Sequence, residues 1–218
     1  MPWSLFPDRI ETDRLVFEPL NRERVDVFDL YEFVQREDWQ EDATEHMPWF
    51  RFRTLDDVAK FVKSAEQQRA DSETARYLLR AKPEDGAIVG LTAFGPEWEK
   101  RRAGSGIVLA EEYWGRGYGR ERASVFVELT FERYDLGAYY TTCAAGNDPS
   151  RRMIEAYVET YGGRHEGLLR QHSTRPNGDV TDQHRFTILR DEYETATEDR
   201  ETLAFDAHWG ERLPQPEY

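Results

Sequence analysis

Three glycines at alternate positions, Gly115, Gly117 and Gly119 in the run YWGRGYG, are spaced to hold a phosphate. They follow a short apolar stretch, Ser105 to Ala110, that reads as a strand, and an acidic bend at Glu111 and Glu112. They deliver the chain into an apolar-periodic stretch from Arg120 to about Tyr134 that reads as a helix, with Ala123, Phe126, Val127, Thr130 and Phe131 on its inward side. Glycine lets the backbone turn tightly and approach a ligand with no Cβ in the way. The open N–H groups and positive dipole end of the following helix favour an anion. A dinucleotide fingerprint would need its last glycine at position 120. Arg120 stands there, which weakens that reading.

Other reactive residue types are sparse. The five histidines show neither H-x-x-x-H nor H-E-x-x-H spacing, so no metal site is expected. Cys143 is the single cysteine, which rules out an intramolecular disulfide and reads as a small buried hydrophobe. The formal net charge of −14 argues against a nucleic-acid partner. Arginine is plentiful, whereas lysine occurs only at positions 60, 63, 82 and 100; together with the acidity this looks like adaptation to a salty cytoplasm, a halophilic signature. No apolar run has the length of a membrane span. A soluble, cytoplasmic protein is expected, monomeric or homodimeric.

The elements that must position the glycine loop follow the chain. Ile10 to Leu20 reads as a first strand, and Asn21 as the cap of a helix to about Gln35 with Val27, Phe28, Tyr31 and Val34 inward. An aromatic-rich connection, including His46-Met47-Pro48-Trp49, leads to a second helix. Thr54 caps that helix, Asp57 lies at its N3 position, and the helix ends near Asp71. Tyr77–Ala81 and Ala87–Gly95 form a hairpin around Lys82-Pro83-Glu84-Asp85-Gly86, with Gly95-Pro96 ending the second strand. After the glycine-loop helix come a strand from Tyr139 to Ala144 and a helix capped by Asp148, with Pro149 at its first position and Tyr157 on its inward face. Arg164–Leu169 and Gln183–Leu189 are the last strands, joined through Asn177-Gly178. Residues 1–193 are taken as one domain and 194–218 as an acidic extension whose Leu203, Phe205 and Trp209 could dock on the body or on a second subunit.

The glycine loop resembles the acyl-CoA loop of the GCN5-related N-acetyltransferases (GNAT), whose pattern is [Q/R]-x-x-G-x-[G/A] after the central strand. Gly117 and Gly119 match it, while Trp114 occupies its first position; the context EEYWGRGYG, the opening ETDRLVFEPL and the MPW segment are similar to the RimJ/RimL-like branch. Asn147 and Ser150 match the family's N-x-x-[S/A] segment, which contacts the pantetheine arm. The resemblance covers roughly Ile10 to Tyr193. It implies an α/β (α+β) fold with a mixed, mostly antiparallel sheet, helices on both faces, and a central parallel strand pair that splays to admit acetyl-CoA. It also implies N-acetylation of a primary amine, a protein N-terminus before a small molecule, with acetyl-CoA as co-substrate.

The chemistry needs a neutral amine, an oxyanion donor and a proton for the departing thiolate. A backbone N–H near Leu109 and Ala110 is the expected donor. The amides of Gly115, Arg116, Gly117, Tyr118, Gly119 and Arg120, beside Trp114, would hold the diphosphate. Ser150 or, by preference, Tyr157 would protonate sulfur. Glu45, His46, Glu97 and His172 are candidates for the base, with His172 carried as the third catalytic residue. A non-catalytic acyl-CoA-binding or interaction protein on the same fold is the alternative.

Overall fold

The computed structural model describes residues 4–174, 178–200 and 203–209. Nine strands form one sheet in the order β7-β8-β6-β5-β4-β3-β2-β1-β9. They are β1 (Arg9–Glu11), β2 (Leu15–Pro19), β3 (Ala75–Ala81), β4 (Ala87–Glu97), β5 (Arg102–Leu109), β6 (Ala138–Ala144), β7 (Arg164–Thr174), β8 (Val180–Leu189) and β9 (Asp206–His208). Every pairing is antiparallel except β5 with β6. The helices are α1 (Val27–Val34), α2 (Leu55–Ala70), α3 (Tyr118–Glu128), α4 (Asp148–Thr160) and α5 (Arg190–Thr197).

Adjacent residues of β3 show the layering, because successive side chains point to opposite faces. The Arg76 guanidinium lies 5.6 Å from the ring of Phe61 on α2. The Tyr77 ring is 6.2 Å from that of Phe126 on α3. So α1 and α2 cover one face and α3, α4 and α5 the other, with Tyr193 of α5 stacked on Phe131 and Tyr161. No helix among the described residues is long and apolar enough to cross a membrane, and no cluster of three or more His, Cys, Asp or Glu there could hold a metal.

Several expected elements form as read. Thr54 and Asp57 make a reciprocal capping box at the start of α2, and Asp71 caps its end. The β3–β4 hairpin turns through Asp85 and Gly86, both at positive φ. Others differ. The expected first strand breaks at residues 12–14: the Thr12 hydroxyl accepts from Leu15 N–H at 2.9 Å, folding the chain back so that β1 pairs with β2. Asn21 caps a turn instead of a helix, accepting from the amides of Glu23 and Arg24, and Asp26 caps the shorter α1. Of the residues expected inward, Val34 is buried and Val27 and Tyr31 pack against the core, while Phe28 is 65% exposed; Leu30 and Phe33 complete the buried side. β4 runs through Gly95 and Pro96 to Glu97 because the Pro96 position stays in ladder with Ala103. α5 was not expected; Leu189 N–H donates to Glu192 at its start. Of the β7–β8 connection, Asn177 lies outside the described residues. In the acidic tail, β9 pairs with β1, and Leu203, Phe205 and Trp209 pack against the core of the same chain.

Candidate active site

The parallel pair opens soon after it forms. β5 and β6 are in register at Arg102–Ala138, Ala103–Tyr139 and Gly104–Tyr140, and pair no further although β5 continues to Leu109. On one face a Cβ at Gly104 would lie 2.7 Å from the Tyr140 ring, so glycine is what lets the strands meet there. On the other face side chains replace the ladder. The Ser105 hydroxyl is in short contact with that of Tyr139, and Thr141 donates to the Ser105 carbonyl at 3.3 Å. Arg122 of α3, only 2% exposed, donates to Ser105 Oγ at 2.5 Å, and its buried Nε has no partner among the described residues.

Beyond this vertex the β5 amides face two ways in alternation. Ala110 N–H donates to Val89 O at 3.1 Å, toward β4. That engages one of the two amides expected to receive an oxyanion. The same phase directs the amides of Ile107 and Leu109 into the opening.

The loop after β5 is organised from outside itself. Trp114 Nε1 donates to the Leu109 carbonyl at 2.9 Å, which gives the indole a structural task while leaving it 43% exposed. Gly115 and Gly117 sit at φ +73° and +84°, where L side chains are strained. The first helical bond of α3 is Glu121 N–H to Gly117 O at 3.1 Å, which leaves the amides of Tyr118, Gly119 and Arg120 with no carbonyl one turn back. Gly119 also brings α3 against α4: a Cβ there would lie 3.0 Å from Met153 Sδ. Arg14 ties the loop to β2, donating to Arg116 O at 2.9 Å and to Glu121 at 2.6 Å. Arg116 pairs with Glu84 of the hairpin. Arg120 is exposed and makes no hydrogen bond or ion pair among the described residues.

At the other wall, Asn147 is the residue that caps α4. Its Oδ1 accepts from Ser150 N–H at 3.1 Å, so Asp148 and Pro149 begin the helix proper. The half-buried Ser150 hydroxyl has no partner among the described residues. Tyr157 lies seven residues on, about 10 Å along the helix, and is 1% exposed. Burial pushes its phenol well above the usual range, and its hydroxyl meets those of Tyr139 and Thr141. It belongs to the buried vertex and not to the surface that Ser150 shares. His172 is exposed on β7, with β8 and β6 between it and β5, so the fold does not bring it to the opening. Glu97 is held down to about 2 by its hydrogen bond from Arg102 and is a poor base at neutral pH. His46 sits 3.7 Å from Glu45 in the aromatic connection.

On the α1–α2 face a cavity of about 220 Å³ is lined by Met47, Trp49, Phe50, Phe61, Arg76 and Leu91. It shares Ala93 and Gly106 with an open trough along Gly104, Ser105, Tyr140 and Thr142, and so leads to the splayed strands.

The family model of the GNAT acetyltransferase domain matches residues 14–157. The chain belongs to the GNAT family. It is similar to an uncharacterized N-acetyltransferase, p20, of Bacillus licheniformis, 22% identical over 188 residues, with 85% of this chain and 98% of that protein covered. Among solved structures it is similar to a GCN5-related N-acetyltransferase from Brucella melitensis (TM-score 0.71, 21% identity, 90% and 86% of the two chains). It is also similar to a proposed ribosomal-protein-serine acetyltransferase from Vibrio cholerae (TM-score 0.69, 20% identity, 85% and 99%).

For a GNAT enzyme the arrangement fits a CoA thioester: helix-start amides and Arg120 for a diphosphate, an opened strand pair for an extended arm, and gap-facing amides for a carbonyl oxygen. Sequence reading missed the vertex residues Ser105, Arg122, Tyr139 and Thr141. One signal was present: Arg122 lies four residues before Phe126, in phase with the apolar stripe of its helix, where a solvated arginine does not belong.

Proposed function

We propose that this GNAT acetyltransferase moves an acetyl group from acetyl-CoA to the α-amine of its acceptor, a protein N-terminus before a small molecule. The observation that carries the reading is the opening between β5 and β6 past Gly104 and Tyr140, with the glycine cradle at one end and the acceptor-sized cavity at the other. Acetyl-CoA supplies an activated thioester. The amides of Tyr118, Gly119 and Arg120, with the loop from Trp114 to Gly117, would hold its diphosphate. Asn147 caps the first turn of α4, and Ser150 in that turn would face the gap. The Leu109 amide, with that of Ile107, would stabilise the oxyanion.

The proton for sulfur falls to Ser150, whose hydroxyl is open. Tyr157, a neutral phenol behind the vertex, would act only through Tyr139 on Ser105, with no contact to Ser150. Neither His172 nor Glu97 is placed or poised as a base, which leaves Glu45 and His46 beside the cavity residue Met47, and an acceptor that deprotonates readily would ask least of them. An α-amine of pKa about 7.7–8.0 is roughly 10–20% neutral at pH 7, against less than about 0.1% for lysine near 10.4. The Vibrio cholerae relative named for a ribosomal-protein serine agrees with a protein acceptor and with the RimJ/RimL-like branch. An acetylation screen across N-terminal peptides, polyamines and aminoglycosides tests it: transfer to α-amines is expected, and tight acetyl-CoA binding without transfer to any amine would favour a binding protein instead.

A further inference from the structure

The cavity on the α1–α2 face contains a cation with no counter-ion. Arg76 of β3 is half-buried on its wall, and its guanidinium makes no hydrogen bond or ion pair among the described residues; its contact is the Phe61 ring at 5.6 Å. Two other arginines of the sheet are answered, Arg80 by Glu18 at 2.7 Å and Arg102 by Glu97 at 2.8 Å, while Arg185 of β8 lies over the Tyr140 ring, outside this cavity. A guanidinium drawn out of water toward apolar walls is disfavoured unless an anion meets it, and desolvation by these walls lowers the pKa of Arg76.

Register places that charge opposite the reaction gap. Arg76 pairs with Ala93, and Ala93 with Gly106, so the three form one row across β3, β4 and β5. Directly opposed residues share a face. The floor between the arginine and the opened edge of β5 is therefore a methyl group and a hydrogen. Two strand spacings make that floor about 10 Å wide, and the arginine side chain reaches back across part of it. The walls are Met47, Trp49, Phe50 and Phe61. A volume of about 220 Å³ corresponds to roughly seven waters at about 30 Å³ each, room for one amino-acid side chain and its carboxylate.

We propose that the acceptor is an anionic amine, with an apolar body in this cavity, a carboxylate on Arg76, and its primary amine one to two residue lengths away at the β5–β6 gap. The proposal rests on the acetyl-transfer reading above and narrows its substrate. The carboxylate has two sources: the main-chain carboxylate of a dipeptide ending in an apolar residue, or an acidic side chain next to a protein N-terminus. A cationic polyamine is the wrong charge for the site.

Matched acid and amide acceptors test it on the full chain: glycyl-phenylalanine and its amide, and N-terminal hexapeptides with Asp or Asn at the second position, with spermidine as the polycation. Release of the CoA thiol gives kcat/KM, and calorimetry gives acceptor affinity. The acid of at least one pair should exceed its amide tenfold or more, and which pair does so identifies the source. Arg76→Gln should lower kcat/KM for that acid at least tenfold more than for its amide, and Arg76→Lys should restore part of the difference. Equal use of acid and amide in every pair, preference for spermidine, or equal losses for acid and amide in Arg76→Gln would overturn the proposal. Absence of transfer to any amine fails the acetyl-transfer reading instead; acid-over-amide affinity, lost in Arg76→Gln, then still decides for or against the anion site.

Discussion

Replacing Gly117 by valine tests the cradle most directly. The residue sits at φ +84°, and its Cβ would lie 3.3 Å from Arg14 Nη2. That guanidinium cannot swing away freely, because the same side chain holds Glu121 and the Arg116 carbonyl. A left-handed backbone costs an L residue about 1–2 kcal/mol. In a domain of this size each kcal/mol lowers the melting temperature by about 2–4 °C, so a fall of roughly 2–8 °C is expected. Binding should suffer more. Each amide–phosphate hydrogen bond lost removes about 1.5–3 kcal/mol, or roughly ten- to a hundredfold in affinity. Gly178→Val is the matched control: it has φ +89°, nothing lies within 4 Å of its Cβ, and it belongs to the β7–β8 connection. It carries comparable backbone strain without touching the loop. Calorimetric titration with acetyl-CoA separates the two. If Gly117→Val binds as tightly as the control, the diphosphate does not lie on this loop.

Ser150→Ala should reduce kcat and kcat/KM together by about 10²- to 10⁴-fold while acetyl-CoA binding persists; full turnover in a steady-state assay would leave water as the donor. Tyr157→Phe should cost less and show in kcat, since that hydroxyl acts from behind the vertex. The Glu97 carboxyl is held below its usual 4.5 at about 2, mainly by the Arg102 hydrogen bond. Its contribution to stability is therefore complete above pH about 4.5 and lost as pH falls toward 2, and Glu97→Gln should flatten the fall in melting temperature across that window. Burial raises the Cys143 thiol to about 11, so alkylation by iodoacetamide at pH 7.5 should be negligible until denaturant is added; rapid native-state labelling would contradict its burial. If the net charge of −14 is a salt adaptation, the melting temperature should rise from low salt to molar KCl as repulsion is screened, and a flat or falling curve would refute it.

What the sequence made legible was local. Thr54 with Asp57, the Asp85-Gly86 turn and the glycine loop each state their conformation within a few residues, because a cap or a positive φ is chosen by nearby chemistry. The misread cap at Asn21 was also local, but ambiguous: Asn and Asp cap turns and helices with the same side-chain oxygen, and only the tertiary burial of Leu30 and Phe33 selects Asp26. Non-local features were hidden. Nothing near Asp206 announces that it will pair with Glu11. The hydroxyl bridge from Ser105 to Tyr139 depends on two strands separated by a whole helix. Ser150 and Tyr157 share a helix face in the sequence pattern, yet the depth of the second within the core is a property of how that helix lies on the sheet.

The pairing of β9 with β1 gives the fold a mechanical character. Arg9 pairs with His208, so the start of the first strand and the end of the last lie side by side at one edge of the sheet. A force applied at these two points pulls across the strands, loading their hydrogen bonds one after another like the teeth of a zip. Held this way, the protein should yield at low force, shedding β9 before anything near the splayed strands moves. Anchored instead through β5 and β6, whose parallel ladder is short but backed by Arg122 and the hydroxyls of Ser105 and Tyr139, it would be loaded at the proposed catalytic centre itself.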